Sequence, residues 1–105
     1  VVSLSAHEFQ QRLANDKKAV VLDVRRPEEY RDGHLKNAIL MNWLDAEAFK
    51  TEAQRLKKKY TYYVYCRSGR RSLEASKYLK SLGFKVVDLK GGYLDWVKNG
   101  LPVEK

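Results

Sequence analysis

Thr61-Tyr62-Tyr63-Val64-Tyr65-Cys66-Arg67-Ser68-Gly69-Arg70-Arg71-Ser72 is the stretch from which the rest of the chain can be read. Its first five residues are aromatic or β-branched throughout, a composition that suits a buried, pleated strand. Residues 66–71 follow with glycine and serine among charges and read as a loop. From Ser72 the period becomes helical, with Ala75, Leu79 and Leu82 on one face, Tyr78 beside them, and Gly83 as the stop. A strand, a short loop and a helix in that order are half of a parallel crossover unit.

The same alternation extends in both directions. Downstream, Lys85-Val86-Val87-Asp88-Leu89 is another strand, Gly91-Gly92 breaks the chain, and residues 93–99 form a short helix stopped by Gly100 and Pro102. Upstream, residues 45–59 read as a polar amphipathic helix, and Ala38-Ile39-Leu40-Met41-Asn42 as a buried strand. Ala19-Val20-Val21-Leu22-Asp23-Val24 is nearly continuous in apolar residues, as in a strand covered on both faces. Pro27 opens a helical turn, and Ser5 with Glu8 forms a capping box that starts a helix over 5–15. The pattern predicts an α/β domain with a mainly parallel sheet and right-handed crossovers. With 105 residues and no repeat or linker, a single domain over 1–105 is expected.

Composition narrows the chemistry. Basic residues outnumber acidic ones 21 to 13, a net charge of +8. Such an excess invites a nucleic-acid reading, but no RNA-binding aromatic signature or helix-turn-helix pattern accompanies it. Lys57-Lys58-Lys59 reads instead as the solvated face of a helix, and no nucleic-acid partner is expected. No apolar run approaches the roughly 18 residues of a membrane span. Val1-Val2-Ser3-Leu4 has neither a basic n-region nor a long apolar h-region. A cytoplasmic setting is expected, or a periplasmic one if a leader has been removed. One cysteine excludes an internal disulfide framework and a multi-thiolate zinc site. With His7 and His34 far apart, neither a metal nor another cofactor is expected. His7 reads as a surface helical residue and His34, after a glycine in a turn, as a structural hydrogen-bonding group.

Chemistry in open α/β sheets gathers at the carboxyl ends of strands, and Cys66 sits at such an end. A tight loop before a helix N-terminus can aim successive amides inward, with Gly69 permitting the curl. Arg67, Arg70 and Arg71 add cationic side chains within a few residues. An ordinary thiol, with a pKa near 8.5, is only about 3% thiolate at pH 7. Raising that to about three-quarters requires about 2.7 kcal/mol, of which a helix N-terminus supplies on the order of 0.5–1 kcal/mol. Guanidinium groups and inward amides are expected to supply the rest. The prediction is a concave cationic pocket with sulfur at its floor, suited to a small oxyanion.

The loop Tyr65-Cys66-Arg67-Ser68-Gly69-Arg70-Arg71-Ser72 resembles the active-site loop of rhodanese-family sulfurtransferases, six residues counted from the cysteine. Leu22-Asp23-Val24-Arg25-Arg26-Pro27-Glu28-Glu29-Tyr30, with Gly33-His34-Leu35 and Ala38, resembles the family's first signature. Gly91-Gly92-Tyr93-Leu94-Asp95-Trp96 with Leu101-Pro102-Val103 resembles its C-terminal end. The resemblance implies a five-stranded, mainly parallel sheet flanked by helices on both faces. It implies a persulfide on Cys66, loaded from a donor such as thiosulfate and passed to cyanide or a thiol, including a protein thiol. The cationic loop is more similar to thiosulfate-using members than to those using mercaptopyruvate. The family often has Pro-Gly where this chain has Lys36-Asn37, and its founding enzymes have two domains.

On this reading Cys66 is the nucleophile, and Arg67, Ser68, Gly69, Arg70 and Arg71 bind the donor, with Arg71 the most inclined to turn elsewhere. Asp23 and Arg25, at a strand end near the loop, either brace it or pair with each other. Glu29 is a candidate partner for a loop arginine. Two other roles compete: a non-enzymatic sulfur carrier or partner-binding module, and a cysteine-dependent phosphatase. The phosphatase cradle needs five residues between cysteine and arginine, whereas Arg71 comes after four.

Overall fold

In the computed structural model, which describes residues 1–105, the chain runs β1 (Val2–Leu4), α1 (Ala6–Ala14), β2 (Ala19–Asp23), α2 (Pro27–Asp32), β3 (Ile39–Leu40), α3 (Ala46–Ala53), β4 (Thr61–Tyr65), α4 (Arg70–Ser81), β5 (Lys85–Leu89) and α5 (Gly92–Lys98). The five strands form one parallel sheet in the order β1-β5-β4-β2-β3. Side-chain alternation along β4 then divides the core in two. Tyr62, Val64 and Cys66 pack with Phe49, Ala53, Ala75 and Leu79, so α3 and α4 cover that face. Tyr63 and Tyr65 pack with Phe9, Leu35 and Trp96, so α1 and α5 cover the other. Fully burying a side chain such as Phe49 or Leu79 contributes about 1.5–3 kcal/mol. Two filled faces, rather than any single polar contact, therefore hold the sheet together. No helix is long and apolar enough to cross a membrane.

The sequence-derived elements hold with four differences, each with a local cause. The strand β1 carries no signal of its own. Three residues with a serine in the middle become a strand only by pairing with Val87, Asp88 and Leu89. The expected buried strand over 38–42 shrinks to β3, an edge strand whose Ile39 is 52% exposed. Helix α3 ends at Ala53 rather than near Lys59, because Tyr62 takes up the Lys57 backbone. The Tyr62 hydroxyl donates to the Lys57 carbonyl at 2.8 Å and accepts from its amide at 2.9 Å. Lys57, Lys58 and Lys59 are thus loop residues, not a helical face. Helix α4 starts at Arg70, two residues early, because the Gly69 carbonyl already accepts the Leu73 amide at 3.2 Å.

Other local readings match closely. Ser5 caps α1, accepting from the Glu8 amide at 3.4 Å while its hydroxyl donates to the Glu8 carboxylate at 2.9 Å. At Lys36-Asn37, Asn37 adopts a φ of 62°. Asparagine tolerates the left-handed region better than other side chains, so it serves there in place of glycine.

Candidate active site

Cys66 follows the last residue of β4 and is 1% exposed, its sulfur covered by the loop that leads into α4. The Gly69 amide donates to Cys66 Sγ at 3.0 Å, so one inward amide sits on the sulfur. The loop's outward carbonyls are used elsewhere. At the start of α5, the Tyr93 and Leu94 amides donate to the Cys66 and Arg67 carbonyls at 2.8 and 3.0 Å. Ser72 Oγ donates to the Gly69 carbonyl at 3.2 Å. Two glycines allow this close stacking. Gly69 has a φ of 104°, and a Cβ there would run into the Lys90 carbonyl; Gly92, at 66°, would meet the Arg67 carbonyl. Both positions therefore combine a backbone conformation and a contact that only glycine accommodates.

The three arginines divide in two. Arg67 and Arg70 are exposed, and their side chains form no ion pair or hydrogen bond. Arg71 turns back to α2 and donates from both terminal nitrogens to Glu29, at 2.8 and 3.0 Å. The anticipated partner of Glu29 is therefore Arg71. The Arg71 bond and the Arg26 amide outweigh partial burial and hold the Glu29 carboxyl down at about 2. A carboxyl depressed from 4.5 stabilises the fold fully above pH 4.5 and loses that contribution as pH falls toward 2. Glu29→Gln should accordingly be less stable than wild type at pH 6, and the gap in urea midpoint should close on acidification to pH 2. A gap independent of pH would refute the assignment.

Beneath the loop lies a buried ion pair. Asp23, 0% exposed, accepts from Arg25 Nε at 2.9 Å and Nη2 at 2.7 Å. Arg25 Nη2 also donates to the Gly33 carbonyl at 2.7 Å. The Tyr65 hydroxyl donates to Asp23 at 2.6 Å and accepts from the Leu35 amide at 3.1 Å. Burial, then the Asp23 charge, push the Tyr65 phenol far up, so it stays a neutral donor. The Arg25 guanidinium lies 4.3 Å from the centroid of Tyr93, whose amide holds the Cys66 carbonyl. Asp23 and Arg25 thus pair with each other, and the pair supports Tyr65, the residue before Cys66, and Tyr93, whose ring stacks on that of Tyr65. Neither makes a hydrogen bond to residues 66–71.

Ser68 is exposed and makes no hydrogen bond to the sulfur. His34 Nδ1 lies 2.9 Å from the Tyr30 carbonyl, with its ring stacked on Tyr30, in keeping with a structural role. Sequence reasoning missed Arg26 and Leu44. With Glu29, Arg67 and Arg71 they line a cleft of about 450 Å³ beside the loop. Their only signals were the doubling of Arg25-Arg26, which sends one side chain inward and one outward, and an apolar residue at an exposed turn. Tyr65 and Tyr93, which the sequence places only in a strand and in the C-terminal motif, carry polar roles here.

Comparison with known proteins agrees with this architecture. The rhodanese-like domain family model matches residues 5–99. A sulfurtransferase of Allochromatium vinosum is 31% identical, covering 98% of this chain and 94% of its own length. The chloroplastic thiosulfate sulfurtransferase 16 of Arabidopsis thaliana is 37% identical over 79% of this chain and 78% of its own. The crystal structure of a rhodanese-related protein from Thermoplasma volcanium superposes with a TM-score of 0.87 at 31% identity, covering 99% and 98% of the two chains.

Proposed function

The chain belongs to the rhodanese-like domain family, and from that premise we propose that it is a thiosulfate sulfurtransferase working through a Cys66 persulfide. The observation that carries this reading is the Gly69 amide on Cys66 Sγ, inside a loop whose Arg67 and Arg70 are exposed and unpaired. The Cys66 thiolate attacks the outer sulfur of thiosulfate. A new S–S bond forms as the old one breaks, and sulfite leaves with the electron pair. Cyanide or a thiolate then attacks the outer sulfur of the persulfide, and the Cys66 thiolate departs. Before loading and again after discharge, when Sγ carries the charge, the Gly69 amide holds it in place. The thiosulfate sulfurtransferase among the relatives supports this choice of donor.

Intact mass after incubation with thiosulfate is the direct test. One added sulfur atom, with one sulfite released per chain, is expected, followed by return to the starting mass and release of thiocyanate on adding cyanide. No mass gain with thiosulfate would refute the donor. A gain that no small acceptor discharges would favour the sulfur-carrier role instead.

Donor binding is assigned to the two unpaired arginines. Arg67→Ala or Arg70→Ala should lower kcat/KM for thiosulfate by about 1.5–3 kcal/mol, the loss expected when a charged hydrogen bond to the anion is removed. Added salt should depress wild-type activity more than that of the variants, since it screens the charges they lack. Unchanged donor kinetics in the double variant would leave the loop amides as the sole anion site.

A further inference from the structure

At the pole opposite the Cys66 loop, the parallel sheet gathers lysines that lie far apart in sequence. Strands β2, β4 and β5 all begin there, with Ala19 opposite Thr61 and Thr61 opposite Lys85. Strands β5, β4 and β2 are adjacent, so their starts fall within roughly 10 Å of one another. The chain enters β2 through Lys17 and Lys18, β4 through Lys57, Lys58 and Lys59, and β5 at Lys85. The three entries touch. The Thr61 amide donates to the Lys18 carbonyl at 2.9 Å, and Lys58 Nζ lies against Gly83, in the turn before β5. All six lysines are exposed, and none forms an ion pair.

Ordinary structural duties do not account for this cluster. Cations in the last turn of a helix complement its dipole, which explains Arg12, Lys50 and Lys80. The six lysines lie beyond those helices. The entry loops and the helix turns leading into them carry two carboxylates, Asp16 and Glu52. Asp16 accepts from the Tyr63 hydroxyl and the Lys18 amide, and Glu52 pairs with Arg55. Lys58 and Lys59 rest their ammonium groups over Phe84 and Tyr60, contacts that leave the charge facing water. Six like charges held together in this way repel one another and weaken the fold unless an anion screens them.

We propose that this pole is a docking surface for the phosphate backbone of a nucleic acid. Of the polyanions a cell offers, a nucleic-acid strand has the charge density to engage several lysines at once and to gain from counterion release. An anionic membrane fits less well. Firm binding there requires an inserted apolar face or a lipid anchor. The exposed apolar residues near this end, Val1, Val2 and Leu82, come from separate elements rather than one helical face. Five residues of β4, roughly 16 Å of strand, separate the pole from Cys66. The surface is therefore a tether that leaves the Cys66 loop uncovered, and it stands apart from the assignment of sulfur donor.

The test is fluorescence anisotropy of labelled poly(U) and poly(dT) oligonucleotides with the full chain across a salt series. Parallel arms use phosphatidylserine vesicles and a variant with Lys57→Gln, Lys58→Gln and Lys59→Gln. The control, Arg26→Gln with Arg67→Gln and Arg70→Gln, removes the same charge at the other pole. Wild type is expected to bind both oligonucleotides. The lysine variant should bind about tenfold more weakly, with its salt slope shallower by about 2, the change expected from losing three phosphate contacts on a single strand. The control should keep wild-type binding, and the lysine variant should keep wild-type thiosulfate activity. Adding Lys17→Gln and Lys18→Gln should weaken binding further. Absence of binding at low salt, equal losses in the two triple variants, or stronger retention on vesicles would each overturn the proposal.

Discussion

Cys66→Ser should lose sulfur transfer altogether, a fall of roughly a thousandfold or more to the uncatalysed background, while unfolding at nearly the wild-type urea concentration. The two halves of this expectation have separate causes. Oxygen cannot take the sulfane sulfur into a stable covalent intermediate, so the route through a loaded enzyme closes. The fold survives because the change is small and the new hydroxyl is not orphaned. Cys66 packs beside Val64 and Ala75, and the Gly69 amide that now meets the sulfur can donate to an oxygen instead. The thiosulfate:cyanide assay, intact mass after thiosulfate treatment and a urea titration of the same preparation together make the test. Persistent turnover in the variant would remove Cys66 from the mechanism. Lost turnover with an unfolded chain would be uninformative for serine, so Cys66→Ala is run beside it as the apolar replacement.

The largest expected loss of stability comes from Asp23→Ala, about 3–5 kcal/mol. Removing that carboxylate strands the Arg25 guanidinium, which is 3% exposed, and leaves the Tyr65 hydroxyl without its acceptor. The cost is that of an uncompensated buried charge rather than the net worth of the pair. Removing both charges should therefore be gentler than removing one. The double variant Asp23→Leu with Arg25→Met is expected to be more stable than Asp23→Ala, since a buried pair can be replaced by apolar residues at little cost. Urea midpoints decide the point. A double variant less stable than the single one would mean that the ion pair contributes stability of its own. Where the Asp23 variant remains folded, sulfur loading should slow, because Tyr65, next to Cys66, and Tyr93, whose amide holds the Cys66 carbonyl, both lean on this pair.

How far the chain could be read in advance depended on distance along it. The Ser5 cap of α1, the β4 strand and the Ala75–Leu79 face of α4 are all written within a dozen residues, and each stands where it was expected. The Ser5 amide, however, does not close a full capping box with Glu8, and Leu82 is exposed. Helix α4 starts early for a local reason, but for α3 and β1 a remote residue intervened. Helix α3 stops early because Tyr62 binds the Lys57 backbone. Strand β1 exists because β5 is there to pair with it. The site divides in the same way. Cys66 and Gly69 were legible from the loop itself. The separation of Arg71 from Arg67 and Arg70 was not, since Glu29, which draws Arg71 away, lies 42 residues earlier.

By itself, then, the sequence determined the α/β class, the place of the lone cysteine after a strand, the cationic loop and the family, because these rest on local period, turn chemistry and a contiguous motif. Only the tertiary structure decided which arginines stay free, what supports the cysteine from below, and that three lysine-bearing loops share one pole. Those outcomes are set by which strands lie side by side. A parallel sheet brings residues together by strand order, and strand order is a property of long-range pairing that no single segment encodes.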